Sequence, residues 1–301
     1  MRGLLAIVAA GVVACVAPAA AWPYGWPLAP FDEQHPVRGF FDDPRVHIDD
    51  TGVETASFHF GVDIAAPGGT PVYAVAPGTV FREADAVAVR DGPHEFSYWH
   101  VSPAVPEHAF VQQHELLGWV KPAWGHVHFA ESIDGRYVNP LRPGALEPFV
   151  DRTRPTVAAI ELLGADPAHV TGTVGVVVDA YDTPPIAPPP PWQDAIVAPA
   201  LVRWRLVGDD VADITPWQVA VDFRRDLLPP EEFDAIYAPG TAQNKPDRPG
   251  RLLFWLDHAF DTARLEPGPY ELEVEAEDLA GNIGRGSLRF VVAGIGRHRT
   301  A

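Results

Sequence analysis

The most regular pattern in the chain lies at residues 270–277, where Tyr270, Leu272, Val274 and Ala276 alternate with four glutamates. A period of two puts the apolar set on one face of a strand and the glutamates in solvent. Asp278-Leu-Ala-Gly281-Asn282 then supplies a turn, and Leu288, Phe290 and Val292 alternate again in a partner strand. Residues 174–180, 201–207, 217–223 and 252–256 read as further strands. Trp192, Trp204, Trp217 and Trp255, in or beside them, read as core packing. Between 51 and 145, short β-type runs such as Thr70-Pro-Val-Tyr-Ala-Val75 and Gly78-Thr-Val-Phe81 are separated by Gly and Pro turns. The expected fold class is all-β: a small, mostly antiparallel β-sheet domain followed by a β-sandwich.

Composition adds boundaries to this picture. Thirty-three prolines in 301 residues favour short strands, turns and rigid linkers over long helices. Residues 1–21 read as a signal peptide: Met1-Arg2, an uncharged apolar run from Gly3 to Val16, then Ala19-Ala20-Ala21 as a cleavage site. The run is broken by Gly11 and Pro18, so no transmembrane helix is expected in the mature chain. The protein is therefore expected to be secreted or held in the cell envelope. Cys15, the only cysteine, lies inside the signal, which leaves a cleaved chain without thiol or disulfide. Val12-Val13-Ala14-Cys15 also resembles a lipobox, so a lipoprotein form stays open.

Residues 22–50, rich in Pro, Trp and Asp, read as a lead-in that packs on a domain at 51–150. Asp151-Arg-Thr-Arg-Pro155 reads as a linker into the sandwich at 151–293, and 294–301 as a tail. The terminal hairpin resembles the last two strands of immunoglobulin-like or fibronectin-like sandwiches. A net charge of −18 with no run of Lys and Arg excludes nucleic acid and anionic lipid as partners.

The chemistry-bearing residues lie in the first domain. They are His59-Phe-Gly-Val-Asp63, then Tyr98-Trp-His100-Val, then Gly125-His126-Val-His128-Phe129. His126 and His128 flank one residue, so on a strand both project to the same face. Phe60-Gly61-Val62 between His59 and Asp63 argues for a strand leading into a turn rather than a helix. His35, His47, His94, His108, His114, His169, His258 and His298 fit no second metal spacing and read as exposed. Asp179, Asp182 and Asp278 read as ordinary strand-end acids, with a calcium site there as the lesser alternative.

Taken together and in this order, the three segments resemble the motifs of the M23 family of metallopeptidases, the lysostaphin and LytM-like enzymes. The resemblance covers about residues 36–145. It implies that His59, Asp63 and His128 bind Zn2+ and that His126 and His100 flank the water and the scissile carbonyl. Three protein ligands with an open fourth position are what a catalytic zinc needs. The substrate implied is the peptide part of peptidoglycan, and a protein partner engaging the C-terminal sandwich is a further expectation.

Two departures stand out. Leu117-Gly-Trp-Val-Lys-Pro-Ala-Trp124 replaces the family's Gly-rich stretch, and Ala130 stands where a glutamate often follows, with Glu131 next. A catalytically inactive LytM-like domain that activates other wall hydrolases is the alternative, and an adhesion or scaffold protein with a structural metal is a third reading.

Overall fold

The computed structural model describes residues 23–48, 51, 54–83, 85–208 and 215–293. The signal with Cys15 and the tail at 294–301 lie outside the described residues. Strands dominate, and the α-helix among the described residues is the short Phe233–Ile236. No helix among them is long and apolar enough to cross a membrane.

The first domain is built on an eight-stranded sheet. Its order runs Val37–Gly39, Val62–Ala65, His126–Ile133, His94–Trp99, Ala86–Asp91, Gly78–Glu83 and Phe110–Val111, with Arg136–Val138 paired onto the end of His126–Ile133. Neighbours pair antiparallel. A smaller sheet of Pro71–Tyr73, Leu116–Val120 and Val101–Pro103 packs beside it.

Strand alternation divides the chemistry from the core. Val62, Ile64, Val127, Phe129 and Tyr98 are fully buried and point into the first hydrophobic core. Asp63, His126 and His128, offset by one residue, face the other side. Each buried side chain of this kind contributes about 1.5–3 kcal/mol, so the strands that carry the site are firmly anchored. The segment at 22–50 does more than lead in. Trp26, Leu28, Val37 and Phe40 enter the same core, Val37–Gly39 adds the sheet's edge strand, and Pro44–Ile48 pairs with Glu54–Phe58.

The second half folds as two facing sheets. One is Thr156–Leu163, Thr173–Tyr181 and Leu253–Asp261; the other is Gln218–Asp222, Leu201–Gly208, Gly268–Glu277 and Ile283–Val292. Val176, Val178 and Phe254 from the first share one core with Val202, Trp204, Leu272 and Val274 from the second. Thr156–Leu163 has no counterpart among the strands read from sequence. Its exposure barely alternates, and Ala158, Ala159, Glu161, Leu162 and Leu163 are helix formers.

Two expectations about this half need correction. The glutamates of Gly268–Glu277 are not simply solvated: Glu275 is buried beneath Arg203 and Arg285, and Glu273 pairs with Arg205. The apolar stems of those arginines cover the strand while their heads pair across it. Of the four tryptophans, only Trp204 is buried; Trp217 packs against Arg203 and Arg205, and Trp192 reaches the other domain.

The two halves meet directly behind the site. Phe58, the residue before His59, belongs to the sandwich core and touches the rings of Phe223, Phe233 and Tyr237. The Tyr237 hydroxyl donates to the Asp42 carbonyl at 2.7 Å, and Ala198 N–H donates to Asp43 Oδ1 at 2.7 Å.

Candidate metal centre

The three motifs converge in one cleft. Asp63 on Val62–Ala65 and His128 on His126–Ile133 are direct cross-strand partners. His59 enters from the turn between Glu54–Phe58 and Val62–Ala65. Gly61 makes that turn fit: a Cβ there would collide with the Phe129 carbonyl oxygen and sit 2.9 Å from His128 Cε1 and Nε2. Any larger residue would push His128 away.

The ligand atoms lie close together. His59 Nε2 is 2.8 Å from His128 Nδ1, and Asp63 Oδ1 is 3.1 Å from each of them. His59 Nδ1–H donates to the Phe40 carbonyl at 2.7 Å, which leaves a lone pair on Nε2. His128 Nε2 is buried without a hydrogen-bond partner against the Phe60 ring. With its proton on that nitrogen, Nδ1 also presents a lone pair. Two imidazole lone pairs and a carboxylate then face one another, an arrangement that repels itself unless a cation or a proton lies between them.

Electrostatics keeps these groups in ligand form. Burial, aided by Arg45, pushes His59 down to about 3 against the pull of Asp63. Burial likewise lowers His128, opposed by Asp63. Burial alone would raise the Asp63 carboxyl, but His59, Arg45, His126 and His128 hold it well below the carboxylate range. Near pH 7 the set is therefore two neutral imidazoles and one carboxylate. His59, Asp63 and His128 can hold a metal ion, and the donor set suits zinc.

His126 and His100 line the same cleft. His126 Nε2 is 3.4 Å from Asp63 Oδ1. Its Nδ1 meets both the Trp124 carbonyl, at 2.9 Å, and Arg38 Nη2, at 2.6 Å. The first contact needs a proton on Nδ1 and the second a lone pair, so the ring satisfies one at a time. His100 sits between strands in a left-handed conformation with φ 65°. Its Nδ1 is 2.7 Å from Asp85 Oδ2, and its ring stacks on Trp124 at 3.6 Å. Burial lowers the His100 pKa, partly offset by Asp85. Lys121 pairs with the other oxygen of Asp85.

Sequence reading passed over several residues that shape this cleft: Phe40, Arg38, Arg45, Asp85, Lys121 and Trp124. Lys121 and Trp124 sit in the stretch that departs from the family pattern, which was the one visible signal. Glu131 does not stand in for the missing glutamate. One residue out of phase, it faces the opposite side, where it is buried and bound by Arg142 and the Tyr24 hydroxyl. His35 and His94, read as exposed, are partly buried, His35 against Trp26 and His94 3.4 Å from Glu131, whereas His108, His114, His169 and His258 are exposed. His298 and the side chain of His47 lie outside the described residues.

Residues 57–140 match the model of peptidase family M23. That segment, well under half of the chain, is therefore similar to peptidase family M23. Among solved structures it is similar to Csd3 of Helicobacter pylori in its orthorhombic crystal, at 22% identity over 45% of this chain and 38% of that one, with a TM-score of 0.34. A zinc containing peptidase from Vibrio cholerae aligns at 21% identity over 39% of each chain, with a TM-score of 0.32. The catalytic domain of lysostaphin from Staphylococcus simulans aligns at 22% identity over 34% of this chain and 86% of that one, with a TM-score of 0.28. The chain spans less than half the length of the first two. No curated protein matches it.

Proposed function

We propose that this protein is a secreted or cell-envelope zinc metalloendopeptidase that hydrolyses peptide bonds in peptidoglycan. The observation that carries the reading is the convergence of His59 Nε2, Asp63 Oδ1 and His128 Nδ1 inside the segment similar to peptidase family M23. These three residues would hold the zinc, which would supply Lewis acidity to a water and to the scissile carbonyl.

The remaining residues manage protons. With Nδ1–H given to the Trp124 carbonyl, His126 offers Nε2 as a base toward the centre of the cleft. His100 gives Nδ1–H to Asp85; burial holds its pKa down, and Asp85 supports the imidazolium once the ring takes up a proton. In that form Nε2–H stabilises the oxyanion and protonates the leaving amine. Trp124, stacked on His100, fixes the ring's orientation and limits water around it.

Metal analysis with hydrolysis of purified wall tests the reading. One zinc per chain is expected, absent from H59A and D63A, with H126A retaining zinc but releasing no new amino groups. A wild type that binds zinc yet cuts no wall chemotype overturns it. In favour of the second reading, an inactive domain that activates other hydrolases, stands the Arg38 contact. While Arg38 donates to His126 Nδ1, the neutral ring's proton is on Nε2, which then has no lone pair to accept a proton from water. In that reading the sandwich is where a protein partner engages.

A further inference from the structure

One wall of the cleft comes from outside the segment matched to the family. The loop between Thr173–Tyr181 and Leu201–Gly208 carries Trp192, and the loop before Leu253–Asp261 carries Gln243. The two loops brace each other. Asn244 Oδ1 accepts from Ile196 N–H at 3.1 Å, its Nδ2 donates to the Ile196 carbonyl at 2.7 Å, and Asp247 N–H donates to the Pro191 carbonyl at 2.7 Å. So held, Trp192 lies with its ring 4.4 Å from Arg38 Cζ. Gln243 Oε1 accepts from Val46 N–H at 2.8 Å, which turns its amide NH2 away from that strand. A cavity of about 100 Å³ opens here, lined by Arg38, Arg45, Asp63, Trp192, Gln243 and Asn244. It is continuous with the metal cleft through Arg38, Arg45, Asp63 and Gln243.

In a chain of net charge −18, two guanidiniums face one small space. Arg45 is held by Asp63 Oδ2 at 2.9 Å. Arg38 has no carboxylate within ion-pair reach among the described residues; its one polar contact is with His126, and the Trp192 face covers it. A partly desolvated guanidinium with open donors beside a free amide NH2 matches a planar carboxylate, which accepts two parallel N–H bonds. A phosphate dianion fits less well, because Asp63 forms part of the same wall.

We propose that Arg38, Gln243 and Trp192 form a subsite for a carboxylate of the substrate peptide, adjacent to the bond cut. The C-terminal sandwich thereby helps select the substrate. This rests on the reading of the cleft as a peptidase centre. It gives the long proline-rich loops a task in specificity rather than in surface filling.

Calorimetric binding of small peptides to the zinc-loaded full chain tests the subsite without requiring turnover. The probes are N-acetyl-D-alanyl-D-alanine, its C-terminal amide, and N-acetyl-D-alanyl-D-glutamate with its α-carboxyl amidated. At least about tenfold tighter binding of the free acid than of its amide is expected, from two charge-assisted hydrogen bonds. R38Q removes that preference with zinc content unchanged, and W192A weakens it. If the side-chain acid binds as tightly as the terminal one, the subsite accepts a carboxylate carried along the peptide as well as one at its end. Equal binding of acid and amide, or a preference that survives in R38Q, overturns the subsite. Acid preference without hydrolysis of any wall leaves the subsite standing and sinks the peptidase reading. Hydrolysis without acid preference does the reverse.

Discussion

Among the described residues, buried and half-buried ligating groups converge in two places, and they resolve their charge in opposite ways. At the first, His59, Asp63 and His128 bring together two imidazoles and one carboxylate, with Arg45 on the carboxylate's second oxygen. At the second, Asp151, Asp182 and Asp278 bring together three carboxylates near the start of the sandwich, all buried. Asp63 is held well below the carboxylate range, whereas burial pushes Asp182 up to about 7 and also raises Asp278. A mixed donor set stays in its ligand form near pH 7. A buried like-charge set relieves itself by taking up a proton. Convergence alone therefore does not keep a cluster in metal-ligating form; the mix of charge does.

The largest test of this contrast is substitution at each place. D63A is expected to lose zinc and to lower hydrolysis by about a thousandfold or more, since it removes a ligand and leaves two imidazoles facing each other. D182N is expected to keep both zinc and activity. Metal analysis and wall hydrolysis on the two proteins decide it, and an inactive, metal-free D182N would erase the distinction.

Next in size is G61A. Its methyl group would press on the Phe129 carbonyl and on the His128 ring, which have no room to retreat between paired strands. A loss on the order of 2–4 kcal/mol in chemical denaturation is expected, together with weakened zinc binding.

A smaller effect lies in the pH dependence of stability. Burial raises Asp42 from 3.8 to about 8, and one of its oxygens is buried without a partner. Asp182 rises from 3.8 to about 7. For a raised acid, the folded protein holds a proton the unfolded chain has released. That contribution is complete below about pH 4 and is lost as the pH climbs through 7 to 8. Asp63 works the other way: its contribution is present above about pH 4 and disappears on further acidification. Wild type is thus expected to melt lower at about pH 8.5 than at about pH 6, and D42N to remove part of that fall, on the order of 1–3 kcal/mol. A melting curve equally steep in D42N would show that Asp42 is charged throughout.

The smallest expected effect concerns Lys121. It shares Asp85 with His100, so K121M leaves that carboxylate wholly to the histidine. The His100 pKa should move upward, and the pH–rate profile with it, while turnover at its optimum changes only a few-fold. An unmoved profile would detach Asp85 from the chemistry.

Much of this was legible along the chain, for particular reasons. The alternation at 270–277 predicts a strand because a half-buried strand needs an apolar residue at every second position, and Leu272, Val274 and Ala276 are indeed buried. His126 and His128 share a face for the same reason. Thr156–Leu163 escaped because an edge strand with little burial has no periodicity to read. Glu275 was placed in solvent because alternation sees one strand, whereas Arg203 and Arg285 come from its neighbours. Trp192 was assigned to the core because an apolar ring beside strands is usually buried; only the packed loops carry it across to Arg38.

The sequence by itself determined the all-β class, which follows from local steric and hydrophobic periodicity, a property of neighbouring residues. The donor set of His59, Asp63 and His128 entered only as what the resemblance of three ordered motifs implies. The tertiary structure alone decided what surrounds those donors. Phe40 orients His59, Arg45 holds Asp63, Asp85 supports His100, and the sandwich closes the cleft with Trp192 and Gln243. Such contacts join residues far apart in the chain, and a single sequence carries no local pattern that pairs them.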